Sequence, residues 1–213
     1  YLRDQLGAVT DSVELQPFTH KSIQMAPGKS FSMTNVIGLI ESASGAKARK
    51  VVLLAHWDTR PVADRDSDSA NRKRPILGAN DGASGVAVLL EIARALPRDQ
   101  RHCVWLVFFD WEDQGDIKGQ DWIQGSSYFA SQLTVLPQKV VIVDMVGDVD
   151  LNIHPERNSD PGITREIWAQ AAALGYAEVF PSDPRFSMLD DHTPFLRLGI
   201  PTVDLIDFDY PQW

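Results

Sequence analysis

Four short stretches of the chain are nearly continuous in apolar residues: Lys50–Ala55, Cys103–Phe109, Lys139–Val143 and Pro201–Ile206. Runs of that length and kind predict strands buried on both faces. Ser12–Phe18 behaves differently. Val13, Leu15 and Pro17 alternate with Ser12, Glu14 and Gln16, which predicts an exposed strand, and Phe31–Ile40 predicts another. Between the apolar runs the spacing changes to that of helices. Ala83–Leu96 carries Val86, Leu89, Leu90, Ala93 and Leu96 on one face and meets Pro97. Ile163–Leu174 predicts a helix closed by Gly175, Thr193–Leu198 one stopped by Gly199, and Ser126–Leu133 a short one. Tyr1–Leu6 reads as the tail of a helix stopped by Gly7. Buried strands alternating with helices give an α/β fold, a single domain with a central mixed, mainly parallel β-sheet flanked by helices.

The segments between these elements carry a different message. Arg60 to Asn80 is a polar stretch of loop length well beyond an ordinary connection, and such loops are generally functional. Gly115–Gly125 is Gly-rich and polar, and Ala43–Lys50 is a turn of small and basic residues. The length, 213 residues with 44% hydrophobic content, suits one domain with a sizeable core, taken as 1–213 and expected to be truncated at both ends. The net charge of −9 argues against nucleic acid, whose phosphates need a basic face. No stretch reaches the roughly 18–20 apolar residues of a membrane helix. The single cysteine, Cys103, opens an apolar run and is expected as a core thiol.

Acids and a histidine recur where strands should stop. His56 and Asp58 follow Val51–Ala55, and their i, i+2 spacing lets both face one side of an extended chain. They are either an ordinary loop pair or a metal element. Asp81, in Gly78–Gly85, is either a first-turn acid of the next helix or a ligand held at its start. Glu112 and Asp113 follow a buried strand, so one can ligate a metal while the other acts as a base, or both are solvated. Asp144 follows Val140–Val143 and, if buried, needs a partner. Asp190, Asp191 and His192 are ligands or a cap for Thr193–Leu198. His20, His102 and His154 sit in no comparable context and are expected to be structural or solvated. Carboxylate oxygen and imidazole nitrogen are donors zinc accepts. Other catalytic plans find no support: there is no G-x-S-x-G elbow, no Walker loop and no G-x-G-x-x-G, and Ser84 has no evident His partner.

Taken in order, A-H-W-D-T-R-P at Ala55–Pro61, G-A-N-D-G-A-S-G at Gly78–Gly85, F-F-D-W-E-D at Phe108–Asp113, V-D-M-V-G-D at Val143–Asp148, D-D-H-T-P-F-L at Asp190–Leu196 and D-F-D-Y-P-Q-W at Asp207–Trp213 resemble the glutaminyl-peptide cyclotransferases and their relatives, the two-zinc aminopeptidases. The likeness runs from about Phe31 to the last residue. It implies a sheet of about six strands and a zinc ion. It implies further that Asp81 and Asp113 are zinc ligands, that Glu112 transfers the proton, and that Asp144 and Asp190 form an acid network beside it. Trp213 would line the substrate pocket. In the two-zinc relatives His56 and Asp144 would hold a second metal, with Asp81 bridging. Three departures stand out. Trp111 replaces the family's small residue before the acid pair. Asp113 is one methylene shorter than the usual Glu. The family's last zinc ligand is a His directly after the position of Trp213, and His192 is not that ligand.

The resemblance implies a zinc-dependent conversion of N-terminal glutamine to pyroglutamate with release of ammonia, using one zinc. Its alternatives are a two-zinc aminopeptidase acting on peptide or protein N-termini and an inactive binding domain on the same fold. It also implies a secreted or periplasmic protein.

Overall fold

The computed structural model describes residues 1–20, 30–43, 45 and 49–209. A six-stranded sheet organises the chain: β1 (Ser12–His20), β2 (Phe31–Ile40), β3 (Arg49–His56), β4 (His102–Phe109), β5 (Lys139–Asp144) and β6 (Thr202–Ile206). Their spatial order is β1-β2-β4-β3-β5-β6. β1 and β2 pair antiparallel, as do β2 and β4, while β4–β3, β3–β5 and β5–β6 are parallel. The sheet is therefore mixed and mainly parallel, as the four apolar runs require. β1 is the exposed edge, with Leu15 left 44% accessible, and Pro17 sits where an edge strand tolerates it.

The apolar runs feed two faces by alternation. Ala55, Val104, Leu106, Phe108 and Val143 pack with Leu6, Leu89, Leu90 and Ala93 of α1 (Leu2–Gly7) and α2 (Ala83–Ala95). Val52, Leu54, Val107, Phe109, Val140 and Ile142 pack on the other face with Phe129, Ala130 and Phe195 of α3 (Gln124–Ser131) and α5 (Thr193–Arg197). α4 (Pro161–Ala173) is capped by Asp160, whose carboxylate accepts from the backbone N–H groups of Gly162 and Ile163. Every predicted element is present, with ends within about two residues. Cys103 corrects one expectation: it is half-buried near the start of β4, not in the core. Among the described residues no helix is long and apolar enough to cross a membrane.

The topology fixes where chemistry can gather. The chain goes from β3 to β4 on one side of it, then returns to β5 on the other side. A sheet that reverses direction in this way leaves a crevice beyond the carboxyl ends of its central strands, where such folds bind ligands. His56 ends β3, Asp144 ends β5, and Glu112 and Asp113 follow β4.

Candidate active site

Close packing brings the helix start to the strand ends. Gly85 lies where an added Cβ would fall 2.1 Å from the Val143 carbonyl oxygen. Gly82, with φ +74°, leaves no room beside the Asp58 carbonyl and the His56 ring. α2 can thus set Asp81 against the end of β3. The helix takes Gly82 as its N-cap with no side-chain cap, so Asp81 is not spent on capping. Its Oδ1 lies 3.0 Å from His56 Nε2, which is also 3.1 Å from Asp144 Oδ1. His56 Nδ1 lies 3.5 Å from Asp58 Oδ1. Burial works against a charged His56, but Asp144, hydrogen-bonded to its Nε2, and the nearby carboxylates of Asp58 and Asp81 prevail and hold the imidazolium well above the usual histidine range.

Glu112 and Asp113 are buried, not a solvated pair. Burial pushes the Glu112 carboxyl well up, His56 opposes it, and the charges of Asp190, Asp191 and Asp113 add to the rise. Asp113 is pushed up to about 7 by burial and by Asp81, against the pull of His56 and Arg60. Asp144 is pushed to about 6, again by burial first, with His56 opposing. The turn that carries the acid pair begins at Trp111 with φ +64°. A left-handed backbone costs little for glycine and is strained for a bulky side chain such as Trp111. Trp111 packs on Phe31 at 4.9 Å between ring centroids.

Asp58 carries more than its place in a loop pair suggests. Its carboxylate accepts from the backbone N–H groups of Glu112 (3.0 Å) and Asp113 (3.3 Å) and from Gln114 Nε2 (3.3 Å). It therefore holds the acid turn, and those bonds, together with His56, keep its own carboxyl below the usual range despite burial. Arg60 has no part in the expectations from sequence, yet it contacts the same turn. A signal for it exists: His56, Asp58 and Arg60 are spaced i, i+2, i+4.

Asp190 reaches the cavity, and Asp191 is buried behind it, near enough for its charge to act on Glu112. His192 is the N-cap residue of α5, with its carbonyl accepting from the Phe195 and Leu196 N–H groups, but no side chain caps the helix. His192 is fully buried, 3.4 Å from Glu156 Oε2 and 3.6 Å from Asp204 Oδ2, and donor atoms of Asp190, His192 and Asp204 lie within 4.8 Å of one another. Asp204 and Asp191 are buried carboxyls pushed well up, first by burial and then by Asp190. His154 is buried in a local network with Asn152 and Asp183, His102 is exposed, and the side chain of His20 lies outside the described residues, as does Trp213. Ser84 is structural: its hydroxyl donates to the Asn80 carbonyl and accepts from the Val146 N–H.

Asp81, Glu112, Asp113, Asp144 and Asp190 line one cavity of about 1050 Å³, walled by Ile76, Leu77, Phe186, Met188, Leu189 and Phe208. The donor set fits a divalent cation. Atoms of His56, Asp81 and Asp144 lie within 4.8 Å of one another, and Glu112, Asp113 and Asp144 hold their protons more tightly than free carboxyls do. Adjacent buried anions call for a cation or for protons.

Residues 35–213 match peptidase family M28. The glutaminyl-peptide cyclotransferase of Bos taurus is 26% identical over 218 residues, covering 85% of this chain and 58% of the relative. This chain therefore spans little more than half of that relative's length. The structure of Bacteroides thetaiotaomicron glutaminyl cyclase bound to N-acetylhistamine superposes with a TM-score of 0.87 at 33% identity, over 100% of this chain and 78% of the other. A Zn-dependent exopeptidase from Parabacteroides distasonis gives 0.87 at 28% identity, over 100% and 75%. The strand order, the donors at the strand ends and the match over residues 35–213 agree: the chain belongs to peptidase family M28.

Proposed function

We propose that the protein is a zinc-dependent glutaminyl-peptide cyclotransferase, acting on peptides or proteins with N-terminal glutamine. The observation that carries the reading is Glu112, a buried acid with raised proton affinity, beside Asp113 and open to the shared cavity. The relatives named as glutaminyl cyclases support it. Asp81 and Asp113 would hold one zinc, which when bound supplies Lewis acidity at the side-chain carbonyl of the substrate glutamine.

The chain's own residues handle the proton. Glu112 takes a proton from the α-amino nitrogen as that nitrogen bonds to Cδ of the side chain. It returns the proton to the departing nitrogen as the Cδ–N bond breaks. The products are a pyroglutamyl peptide and ammonia, and no water is consumed. A base for this task works best with its pKa near the operating pH, and an ordinary glutamate is too weak. Burial with Asp190 and Asp191 nearby strengthens it. Asp144 is kept in place by His56, whose imidazolium sits between Asp81 and Asp144 and offsets both.

A second reading, a two-zinc aminopeptidase, is favoured by one observation: His56, Asp81 and Asp144 converge as a second metal's donors would. There a neutral His56 would help Asp81 and Asp144 hold a second zinc, which would supply further Lewis acidity, and Glu112 would take a proton from water. A peptide beginning with glutamine separates the two. The zinc-loaded protein should convert it to the pyroglutamyl form with stoichiometric ammonia. Release of free glutamine and a shortened peptide would replace the first reading with the second.

A further inference from the structure

The acid turn after β4 is gripped from two sides by one short stretch of chain. Asp58 accepts from its N–H groups. Arg60, two residues on and 7% exposed, donates to its carbonyls. Arg60 Nη1 lies 3.2 Å from the Asp113 carbonyl oxygen, 3.2 Å from the Gly115 carbonyl oxygen and 3.3 Å from Asp113 Oδ1. The rest of the guanidinium is already committed: Nε and Nη2 bind Asp64 Oδ1 and Oδ2 at 2.6 and 2.8 Å. Its flat face lies 5.0 Å from the Trp122 ring centroid, and Trp122 fills the space a Cβ on Gly115 would need. Asp64 and Trp122 thus fix the guanidinium before it meets Asp113.

We propose that Arg60 is a positioning residue that sets the Asp113 carboxylate for metal binding, engaging Oδ1 and leaving the other oxygen to the ion; this rests on the reading of Asp113 as a zinc ligand. Three physical arguments support it. A ligating carboxylate is generally oriented by a hydrogen bond from behind, and loss of such a partner typically costs 10–100-fold in metal affinity. The shorter Asp at this position has less reach than a Glu, so the placement of its turn matters more. Asp113 also lies near like charges from Asp81 and Asp58, and Arg60 and His56 are the cations that oppose them. The planar fork, with its separate donors, allows Arg60 to bind Asp64 and the turn at once, which a lysine ammonium cannot do with the same geometry. Because Arg60 also begins the Arg60–Asn80 loop, whose Ile76 and Leu77 wall the cavity, the same contact ties the pocket wall to the metal ligand.

The test is zinc affinity, measured by competition with a chromophoric chelator, on the wild-type protein and on Arg60→Gln, Arg60→Lys and Asp113→Asn. Melting curves accompany each variant. Kinetics on a glutamine peptide are taken at limiting and at saturating zinc. Arg60→Gln should weaken zinc binding by about 10–100-fold. Arg60→Lys, which keeps the charge and most of the stem, should fall between it and wild type. At saturating zinc both should regain most of their kcat, a recovery that a merely structural loss would not give. If Asp113→Asn loses zinc while folded Arg60→Gln or Arg60→Lys binds it as wild type does, the inference about Arg60 fails and the ligand assignment stands. If Asp113→Asn itself binds zinc normally, the ligand assignment fails and the role of Arg60 falls with it. Should Arg60→Gln not fold, Arg60→Lys decides alone: wild-type zinc affinity there overturns the proposal.

Discussion

Two buried clusters of acids and histidine lie close together in this molecule, and they resolve the same problem in opposite ways. Asp81 and Asp144 line the cavity, and buried His56 joins them, with donor atoms of the three within 4.8 Å of one another. Glu156, His192 and Asp204 are sealed. In the sealed cluster Glu156 is satisfied from its own chain. Its Oε2 accepts from the N–H groups of Asn158 and Ser159 and from the Ser159 hydroxyl, and its Oε1 accepts from the Met188 N–H. His192 and those bonds hold its carboxyl below the usual range despite burial. Asp144, Asp113 and Glu112 are instead pushed up, because burial and neighbouring carboxylates outweigh what the chain offers them. Composition alone does not distinguish a cation site from a structural charge cluster. What separates them is Glu156, whose carboxylate backbone N–H groups have already met; the carboxyl of Asp204 beside it has no such bond and is pushed up by burial and by Asp190, like those at the cavity.

The largest effect should come from the open cluster's neighbour. Glu112→Gln keeps the shape of the side chain and removes its base, so kcat on a glutamine peptide should fall by roughly 10²–10⁴-fold, with zinc content unchanged. Loss of zinc with retained activity per bound ion would mean that Glu112 and Asp113 have exchanged roles. Next is Glu156→Gln in the sealed cluster. It leaves N–H donors facing a neutral amide and His192 without its carboxylate, at a cost of about 3 kcal/mol in unfolding free energy. Denaturant melts would show this, and zinc affinity should stay at the wild-type value. A drop in zinc affinity comparable to that of Asp81→Asn would erase the distinction between the two clusters.

Stability against pH probes the open cluster without mutation. Asp113, near 7, and Asp144, near 6, titrate above their ordinary range when folded. A carboxyl whose folded pKa is raised binds its proton more tightly in the native state, so the metal-free fold weakens as pH climbs from the unfolded value through the folded one. His56, raised by its carboxylate partners, adds stability below its unfolded value that is lost as pH rises through its folded value. Both trends have the same sign. Metal-free protein should lose stability from about pH 4 to above 7, by roughly 1.4 kcal/mol for each tenfold difference in proton affinity between the folded and unfolded chain. Zinc should remove most of that slope. A flat profile without metal would contradict the assignment of buried, proton-holding acids. The smallest effect is expected for Asp204→Asn. The carboxyl there is held protonated by burial and by Asp190, so an amide of the same shape should change stability by less than about 1 kcal/mol and leave zinc affinity unchanged.

The fold was legible in the sequence because its signals are local. Continuous apolar runs mark β3 to β6, and the 3.6-residue spacing of Val86, Leu89, Leu90 and Ala93 marks α2. The acids that line the candidate site were legible for the same reason: Asp81, Glu112, Asp113, Asp144 and Asp190 sit where elements begin or end, as does His56 beside them. The choice between capping and ligation at Asp81 and at Asp190–His192 was not legible, because it depends on where side chains turn after residues 56 and 144, or 156 and 204, have been brought together. Arg60 hid at the start of a long polar loop. Asp204 was readable in principle, since an acid inside the apolar strand Val203-Asp204-Leu205-Ile206 must find a proton or a partner. Glu156 and its turn of N–H donors had no sequence signature.

Everything above turns on Asp81 and Asp113 holding the metal at the cavity and the sealed cluster holding none. Crystals of the zinc-loaded protein, with anomalous differences recorded on either side of the zinc absorption edge, would show where the ion sits. One strong peak is expected against Asp81 and Asp113, none at His192 and Asp204, and His56 in contact with Asp144 without an ion between them. A second full peak between His56 and Asp144 would move the protein to the two-zinc aminopeptidases. A peak in the sealed cluster, or no peak at Asp81 and Asp113, would refute the division between the clusters.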